Sequence, residues 1–301
     1  MRRRAPMRDF DYLVPETVAE ASGLLAEHGD ACRLIAGGTA LLLALRQRMV
    51  APSHLVSLAR VRGLRGIADD RGGLRIGAMT THAAVARSPL VRERYPMLAS
   101  AAARLANPQV RNQGTIGGNI CYADPATDPP SCLMALDARL VLRSARRERV
   151  LSVADFLTDY YATALEPDEL LAEIRLPPPR FPLGFHARFH RTAAEHRPLV
   201  NVAIALARDD DVVREIRIVV GASTTVPTRA SAAEAFLVGQ PLTGAVARAA
   251  AEMVAAGIEP VSDLRGSGAF RRDMVRVVAR RTLERLGSGD ARWDDHGEDV
   301  A

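Results

Sequence analysis

The chain has 301 residues, of which 48% are apolar and 25% are charged, a composition typical of a globular protein with enough length for two domains. It contains no lysine, which excludes lysine Schiff-base chemistry, and with it pyridoxal-phosphate enzymes, as well as the P-loop. Because the net charge is only +5, acids and arginines are mixed along the chain and aromatic residues make up only 4%, we do not predict nucleic-acid binding.

The cysteines and the apolar runs indicate the redox environment of the protein and whether it enters a membrane. Cys32, Cys121 and Cys132 match neither a disulfide framework nor a metal-binding spacing, which indicates a reducing, cytoplasmic location. The basic N-terminus is not followed by an apolar signal segment, and the longest apolar run, LIAGGTALLLAL, is too short to span a bilayer. We therefore expect neither a signal peptide nor a membrane span.

The first segment is predicted to alternate helices and short strands. Apolar residues at helical spacing in ETVAEASGLLAEHG predict a helix that stops at Gly29. CRLIAG is predicted as a short buried strand, TALLLALRQRM as a helix and HLVSL as another strand.

A hairpin and a run of helices follow. GLRGIADDRGGLRIGAM predicts a hairpin turning between Asp70 and Gly73, and THAAVARSPLVRERYPMLASAAARLA has helical patterns. In RNQGTIGGNICYADPATDPP, two glycines interrupt a strand-like, β-branched run, and two aspartates without a nearby basic residue follow. The next predicted elements are a helix at SCLMALDA, a hairpin at RLVLRSARRERVLSV and a strand at ELLAEIRLP.

The proline-rich stretch at 177–182 marks the predicted domain boundary, because prolines interrupt helices and strand ladders alike. We expect a first domain over 1–177, a second over 183–286 and a disordered tail over 287–301.

The second domain begins with three strand-like segments and continues with helical patterns. The strands are predicted at GFHARFHR, LVNVAIALA and VREIRIVVGAS, which favours a small α+β domain with a three-stranded sheet. One face of its last helix is predicted to carry Phe270, Met274, Val277, Val278 and Leu286.

Two glycine pairs stand in similar surroundings, at 34–42 and 114–120. Glycine permits positive φ and close backbone approach, so the N–H groups of such a turn can hold phosphate oxygens, with Thr39 and Thr115 adding hydroxyl donors. Taken alone, each pair is better explained as a simple tight turn; with both pairs together, the tight turn and the phosphate loop stay equally open. Two such loops, about eighty residues apart, can clamp one diphosphate from two sides. Neither matches GxGxxG, so a Rossmann dehydrogenase is not predicted.

Asp124 and Asp128 follow the second pair in a proline-rich loop. Carboxylates repel phosphate but accept hydrogen bonds from ribose or ribitol hydroxyls, so one interpretation is a cofactor-binding role. The other interpretation is an Asx-turn cap, and both stay open for Asp124.

These motifs, in order from about residue 7 to residue 286, resemble the FAD-binding medium subunit of molybdenum hydroxylases. This family includes aerobic carbon monoxide dehydrogenase and the separate flavin subunits of bacterial xanthine dehydrogenases. LIAGGTALL, the stretch from LRIGAMTTHAAV to CLMALDA, ALEPDELLAEIRLP and GSGAFRRDMVRVVARRTLERL carry the resemblance. It implies an α+β fold: an FAD-binding domain of the vanillyl-alcohol-oxidase (PCMH) type, made of two α+β subdomains, and a small C-terminal domain of a three-stranded sheet with helices.

The resemblance also implies where FAD binds. IAGGTAL and TIGGN would hold its diphosphate and ribitol, Leu105 would touch the adenine or flavin region, and Leu171 would pack near the ring system. Asp128 would accept from a cofactor hydroxyl, and Arg188 stands where some relatives carry a lysine near the flavin. The complete set of predicted cofactor-binding residues is Leu34, Ile35, Ala36, Gly37, Gly38, Thr39, Ala40, Leu41, Leu105, Thr115, Ile116, Gly117, Gly118, Asn119, Asp124, Asp128, Leu171 and Arg188.

The implied mechanism is electron transfer rather than substrate chemistry. A large molybdopterin subunit would oxidise the substrate, a small subunit would carry two [2Fe–2S] clusters, and FAD would pass electrons to NAD⁺, a quinone or oxygen. Three cysteines are too few to hold such clusters in this chain. The resemblance implies a dimer of heterotrimers, with no catalytic residue and no metal on this chain.

Two other functions stay open at this point. A free-standing FAD-dependent reductase of the same fold would need a catalytic acid, and none is evident in the second domain. A flavin-less interaction subunit would not need the glycine turns. His186, His190 and His196 lie in or near a predicted strand without HExxH, so no metal site is predicted, and His82 is expected to cap a helix or lie at an interface.

Overall fold

The computed structural model describes residues 8–192 and 195–288. From residue 289 on, the predicted tail lies outside the described residues. In these two ranges, the helices are all too short or too polar to cross a bilayer.

A small subdomain with a parallel sheet opens the chain. Its strands lie in the order β1-β3-β2 and are β1 Asp11–Leu13, β2 Cys32–Ile35 and β3 His54–Ser57. Its helices are α1 Val18–His28 and α2 Leu41–Arg46. The predicted order of helix, strand, helix and strand is confirmed. Because β2 and β3 are parallel, the turn after β2 and the turn after β3 lie at the same edge of the sheet.

The second subdomain is built on a five-stranded antiparallel sheet in the order β4-β5-β10-β6-β7. Its strands are β4 Ile67–Asp70, β5 Gly73–Gly77, β6 Arg139–Arg143, β7 Glu148–Ser152 and β10 Leu170–Leu176. Both predicted hairpins are confirmed as the pairs β4–β5 and β6–β7. The central β10 is buried on both faces, which explains its almost continuous apolar sequence.

Short helices cover this sheet: α3 His82–Arg87, α4 Pro89–Arg94, α5 Pro96–Arg104, α6 Pro108–Gln113, α7 Ile116–Tyr122, α8 Pro129–Ala135 and α9 Val153–Phe156. Proline at the first position of α4, α5, α6 and α8 explains why the helical region is divided, since proline starts a helix but cannot continue one. A two-stranded ribbon, β8 Leu157–Asp159 with β9 Ala162–Thr163, completes the subdomain.

The second domain is an antiparallel sheet in the order β11-β12-β13-β14 with three helices. The three predicted strands are the long ones, β11 Leu183–Phe189, β12 Val200–Asp209 and β13 Val212–Gly221, and the two-residue β14 Thr228–Arg229 extends the sheet. The helices are α10 Ser231–Leu237, α11 Gly244–Ala256 and α12 Gly268–Gly287.

The buried face of α12 overlaps the predicted one, since Val278 and Leu286 are buried, but it is rotated away from Phe270. Val275, Ala279 and Leu283 are buried against the sheet and α11, whereas Phe270 is 40% exposed at the first turn. The prediction counted apolar residues only. Arg271 turns inward and donates to the backbone carbonyls of Leu199 and Ala222, and this rotates the buried face away from Phe270.

The two domains share one continuous core. One face of the second domain's sheet packs on α10, α11 and α12. Ala203, Ala205 and Val219 on the opposite face join the hydrophobic core of the first domain. The first and second domains are therefore joined through a packed sheet face.

Candidate functional site

The first glycine turn follows β2 directly and leads into α2. Gly38 has a φ of +71°, which favours glycine. The N–H groups of Gly38, Thr39 and Ala40 donate no hydrogen bond to another of the described residues. All residues from 34 to 41 are partly exposed. This turn therefore offers backbone donors at an accessible surface, as an anion cradle requires.

The second glycine pair lies in a helix, and the predicted strand-like turn is wrong. Thr115 caps α7, because its hydroxyl oxygen accepts the N–H of Gly118 at 3.1 Å. Neither Gly117 nor Gly118 has a positive φ. The β-branched residue that suggested a strand is the helix cap, which explains the error.

The two glycine segments lie against each other. A Cβ on Gly37 would clash with the carbonyl oxygen of Gln113 and lie 2.9 Å from the Cα of Gly114. A Cβ on Gly118 would lie 3.4 Å from the Cβ of Ala36. The two segments, about eighty residues apart in the chain, therefore lie side by side in the fold.

Gly117 anchors α7 to the sheet. Its N–H donates to the carbonyl oxygen of Ala78 at 2.9 Å, and the N–H of Ile116 donates to Thr80 at the same distance. A Cβ on Gly117 would lie 2.5 Å from the Cβ of Ala78. Gly117 is thus a packing residue, and its N–H is not available to a ligand. Leu171, on β10, is buried in the hydrophobic core of the first domain.

The residues present fit FAD. The converging turns contain no acid at 34–41 or at 115–119, so nothing there repels a diphosphate. The Oδ1 of Asn119 is buried without a hydrogen-bond partner, while its Nδ2 donates to Thr127 at 2.8 Å. A buried acceptor of this kind needs a donor, and a hydroxyl of a sugar or ribitol chain supplies one.

Both aspartates of the proline-rich loop find arginine partners from the second domain. The Oδ1 of Asp124 accepts the N–H of Ala126 at 3.0 Å, which is an Asx turn, and also accepts from Arg197. Asp128 is buried and lies 3.4 Å from the NH1 of Arg188. The sequence showed no basic residue nearby because the arginines lie about 60 to 73 positions away.

Asp128 and Arg188 belong to one network at the domain junction. Arg188 also donates to the carbonyl oxygen of Arg104, next to Leu105, at 2.8 Å. Burial raises the pKa of the Asp128 carboxyl, and the Arg188 and Arg104 charges oppose that rise. His186 lies 3.5 Å from the same carboxylate, and burial holds the pKa of its imidazole well below the usual range. The network joins the predicted FAD residues of the two domains.

The sequence analysis missed three residues of this network. Arg104 donates to the carbonyl oxygen of His186, and Asn201 donates to Thr127 at 3.0 Å and lies 3.4 Å from Asp128. Arg197 pairs with Asp124. Each lies in an ordinary helix, strand or loop pattern, so only the spatial contact reveals it.

His82 lies directly behind the two turns. Its ring carbon Cδ2 would be 3.3 Å from a Cβ on Gly114, and the hydroxyl of Thr39 would be 3.4 Å from the same atom. Burial lowers the pKa of His82 to about 4, so it is neutral near pH 7. The N-cap of α3 is Thr81, so His82 packs beneath the cap rather than forming it. The described part of the chain brings no group of three metal-ligating side chains together.

Comparison with known proteins agrees with this architecture. Residues 8–179 match the family model described as the FAD binding domain in molybdopterin dehydrogenase, and residues 187–286 match the carbon monoxide dehydrogenase flavoprotein C-terminal domain. The chain is 35% identical to subunit alpha of the 6-hydroxypseudooxynicotine dehydrogenase complex of Paenarthrobacter nicotinovorans, over 91% of this chain and 93% of that protein. It is 33% identical to the carbon monoxide dehydrogenase medium chain of Hydrogenophaga pseudoflava, over 91% and 96%.

Solved structures show the same fold. Carbon monoxide dehydrogenase from Hydrogenophaga pseudoflava matches with a TM-score of 0.89 and 34% identity, over 93% of this chain and 97% of that chain. Quinoline 2-oxidoreductase from Pseudomonas putida 86 matches with a TM-score of 0.90 and 32% identity, over 96% and 100%.

The α+β fold with two converging turns defines a flavoprotein of the PCMH type. The chain belongs to the family of FAD-binding medium subunits of molybdenum hydroxylases. Its cofactor is FAD, and it is an oxidoreductase subunit with a role in electron transfer. Its relatives are subunits of multi-subunit complexes, and a free-standing reductase is not favoured.

Proposed function

We propose that the two glycine segments hold one FAD and that the chain passes electrons from [2Fe–2S] clusters of a small partner subunit to an external acceptor. A large molybdopterin subunit would supply those electrons. When bound, FAD supplies reversible electron storage. The proposed binding residues are the predicted set: 34–41, Leu105, 115–119, Asp124, Asp128, Leu171 and Arg188.

The observation that carries the proposal is the backbone packing of Gly37 against Gln113 and Gly114. It holds the turn after β2 against the end of α6, directly before α7, and these segments would form one cradle. The donors of Gly38 and Thr39 would hold phosphate oxygens, and the hydroxyl of Thr39 adds a third donor. The Oδ1 of Asn119 would accept from a cofactor hydroxyl on the opposite side.

The second domain would close the site. Arg188 on β11 and Asp128 before α8 form an ion pair across the domain junction, and this pair keeps the two domains in register. A buried cation at this position would face an anionic or electron-rich part of the cofactor. Leu105 and Leu171 are buried apolar side chains, and both would exclude water from the bound cofactor.

We further infer that the complex is a dimer of heterotrimers. Within this chain, the two domains would cover residues 1–177 and 183–286. A reducing cytoplasmic location is consistent with the three unpaired cysteines, of which Cys32 and Cys132 are buried.

The experiment is to isolate the tagged, full-length chain from its native host and analyse its partners and cofactors. We expect bound flavin, together with iron and molybdenum on co-purified subunits. The chain alone should bind FAD but should not turn over a substrate of the complex. A colourless chain that cannot be reconstituted, or substrate turnover by the chain alone, would contradict the proposal.

A further inference from the structure

We propose that α2 and the loop after it form the docking surface for an acidic partner subunit that carries the [2Fe–2S] clusters, an inference that rests on the proposed function. The surface consists of Leu42, Leu43, Arg46, Arg48 and Met49, and it is called the α2 surface below. The argument depends on its apolar exposure, its charge and its position.

The α2 surface exposes more apolar area than the fold requires. Leu42, Leu43 and Met49 are 39%, 56% and 70% exposed, and they fall within eight consecutive residues. Ala44 and Leu45 are the buried residues of α2, so the helix is already anchored to the core. Exposed apolar side chains next to charged ones mark surfaces that bind other macromolecules. Arginine and methionine are also enriched at protein interfaces.

The charged side chains of this stretch of chain are all basic, and of its arginines Arg62 pairs with Glu16 from the preceding segment at 3.6 Å. Residues 31–68 contain no aspartate or glutamate, and six exposed arginines lie among them: Arg33, Arg46, Arg48, Arg60, Arg62 and Arg65. A basic surface attracts an acidic partner and disfavours a second copy of itself. The three apolar side chains favour a protein over a nucleic acid, whose backbone is bound mainly through charge.

The α2 surface lies beside the cofactor turn. The N–H of Leu42 donates to the carbonyl oxygen of Gly38 at 3.0 Å, and the Cδ1 of Leu42 would lie 3.2 Å from a Cβ on Gly38. A protein that covers Leu42 and Leu43 would therefore approach the glycine turn to within one side chain. Electron transfer between cofactors on separate chains requires close approach, so the electron-donating subunit is the partner that suits this position.

The test compares two charge-reversal variants of the tagged, full-length chain, each isolated with its partners from the native host. Arg46→Glu/Arg48→Glu changes the α2 surface. Arg248→Glu/Arg281→Glu is the matched control, since both arginines are exposed on α11 and α12, on the side of the second domain's sheet away from the first domain. Iron, molybdenum and flavin are measured per tagged chain.

We expect the α2 variant to keep its flavin content, while its iron content per tagged chain falls about tenfold. The control should keep both the flavin and the iron. A flavin-containing α2 variant that retains wild-type iron overturns the docking surface but leaves the proposed function intact. Loss of molybdenum with retained iron also overturns it, because the surface would then bind the large subunit. Wild-type chain that carries flavin but never iron refutes the proposed function itself.

A second variant covers the case in which charge reversal disturbs folding. Leu43→Gln keeps all charges and alters one exposed side chain, and we expect it to lower the iron content while flavin is retained. If iron is unchanged in Leu43→Gln, the surface is refuted. Nuclease-sensitive nucleic acid bound to the wild type but not to the variant, or a loss of self-association with iron unchanged, would assign the surface to a different partner and overturn the proposal.

Discussion

A Cβ atom on Gly37 would lie 2.7 Å from the carbonyl carbon of Gln113, so the first glycine turn and the end of α6 pack backbone against backbone. This contact brings the small subdomain and the five-stranded subdomain together at the proposed FAD site. Gly38 supplies the left-handed conformation, whereas Gly37 supplies the space. The two neighbouring glycines therefore have different physical roles.

Gly37→Ala should separate the two turns. Because the clash involves backbone atoms of Gln113 and Gly114, relaxation requires the segments to move apart, at a cost of about 1–3 kcal/mol of unfolding free energy. The affinity for FAD should fall at least about tenfold, since both halves of the cradle are displaced. Fluorescence titration of the apoprotein measures this affinity. Gly23→Ala, in α1 with no atom within 4 Å of its Cβ position, is the control and should stabilise by about 0.5–1 kcal/mol. Wild-type FAD affinity in Gly37→Ala would contradict the packing role.

Gly118→Val should abolish FAD retention. The Cβ would lie 2.8 Å from the hydroxyl of Thr115, which must then release the N–H of Gly118. Gly118→Ala introduces the same Cβ but no branch, and alanine is favoured over glycine in a helix by about 1 kcal/mol, which offsets part of the weakened Thr115 cap. We expect Gly118→Ala to keep its folded structure by circular dichroism and to bind FAD more weakly. If Gly118→Val retains stoichiometric FAD in its absorption spectrum, the assignment of Gly118 to the cradle is wrong.

His82 should make the protein less stable in mild acid. Its pKa is about 4 in the folded chain, where burial disfavours the charged form, against 6.5 as the ordinary value. The unfolded chain therefore binds more protons between these values, and stability falls as the pH drops from about 6.5 to about 4, by on the order of 3 kcal/mol. His82→Leu removes this group while keeping an apolar filler. The unfolding free energies of the variant and the wild type are measured at pH 7 and at pH 4.5. Between pH 7 and pH 4.5 the wild type should lose more stability than the variant. A pH-independent difference would contradict the neutral, buried state.

The Asp128–Arg188 pair should couple the two domains. Removal of one partner from a buried pair leaves an uncompensated charge, so Asp128→Asn and Arg188→Gln should each destabilise by about 3 kcal/mol. The free energy of unfolding of the double variant should fall by at least about 1 kcal/mol less than the sum of the two single-variant losses. The reason is that neither charge is then left without its partner. Urea unfolding of the four proteins completes the cycle. Strict additivity would show that the two residues act independently.

Secondary structure was largely predictable because it depends on local patterns. The hairpins β4–β5 and β6–β7, the β10 strand and the long α12 follow from apolar periodicity and turn residues. The error at Gly117 and Gly118 arose where Thr115 serves as a helix cap, since a β-branched residue favours both a strand and an N-cap. The predicted face of α12 was wrong at Phe270, because a search for apolar residues does not find that the charged Arg271 is buried.

By itself, the sequence determined the first glycine turn, the two-part domain order and the family resemblance, since each depends on residue type and order along the chain. The tertiary structure alone decided that Gly37 meets Gln113, that Asn119 keeps a buried acceptor, and that Asp124 and Asp128 face Arg197 and Arg188. These contacts join residues about 60 to 80 positions apart. Such pairings depend on how the sheets and helices pack, and no local pattern of side chains encodes that distance.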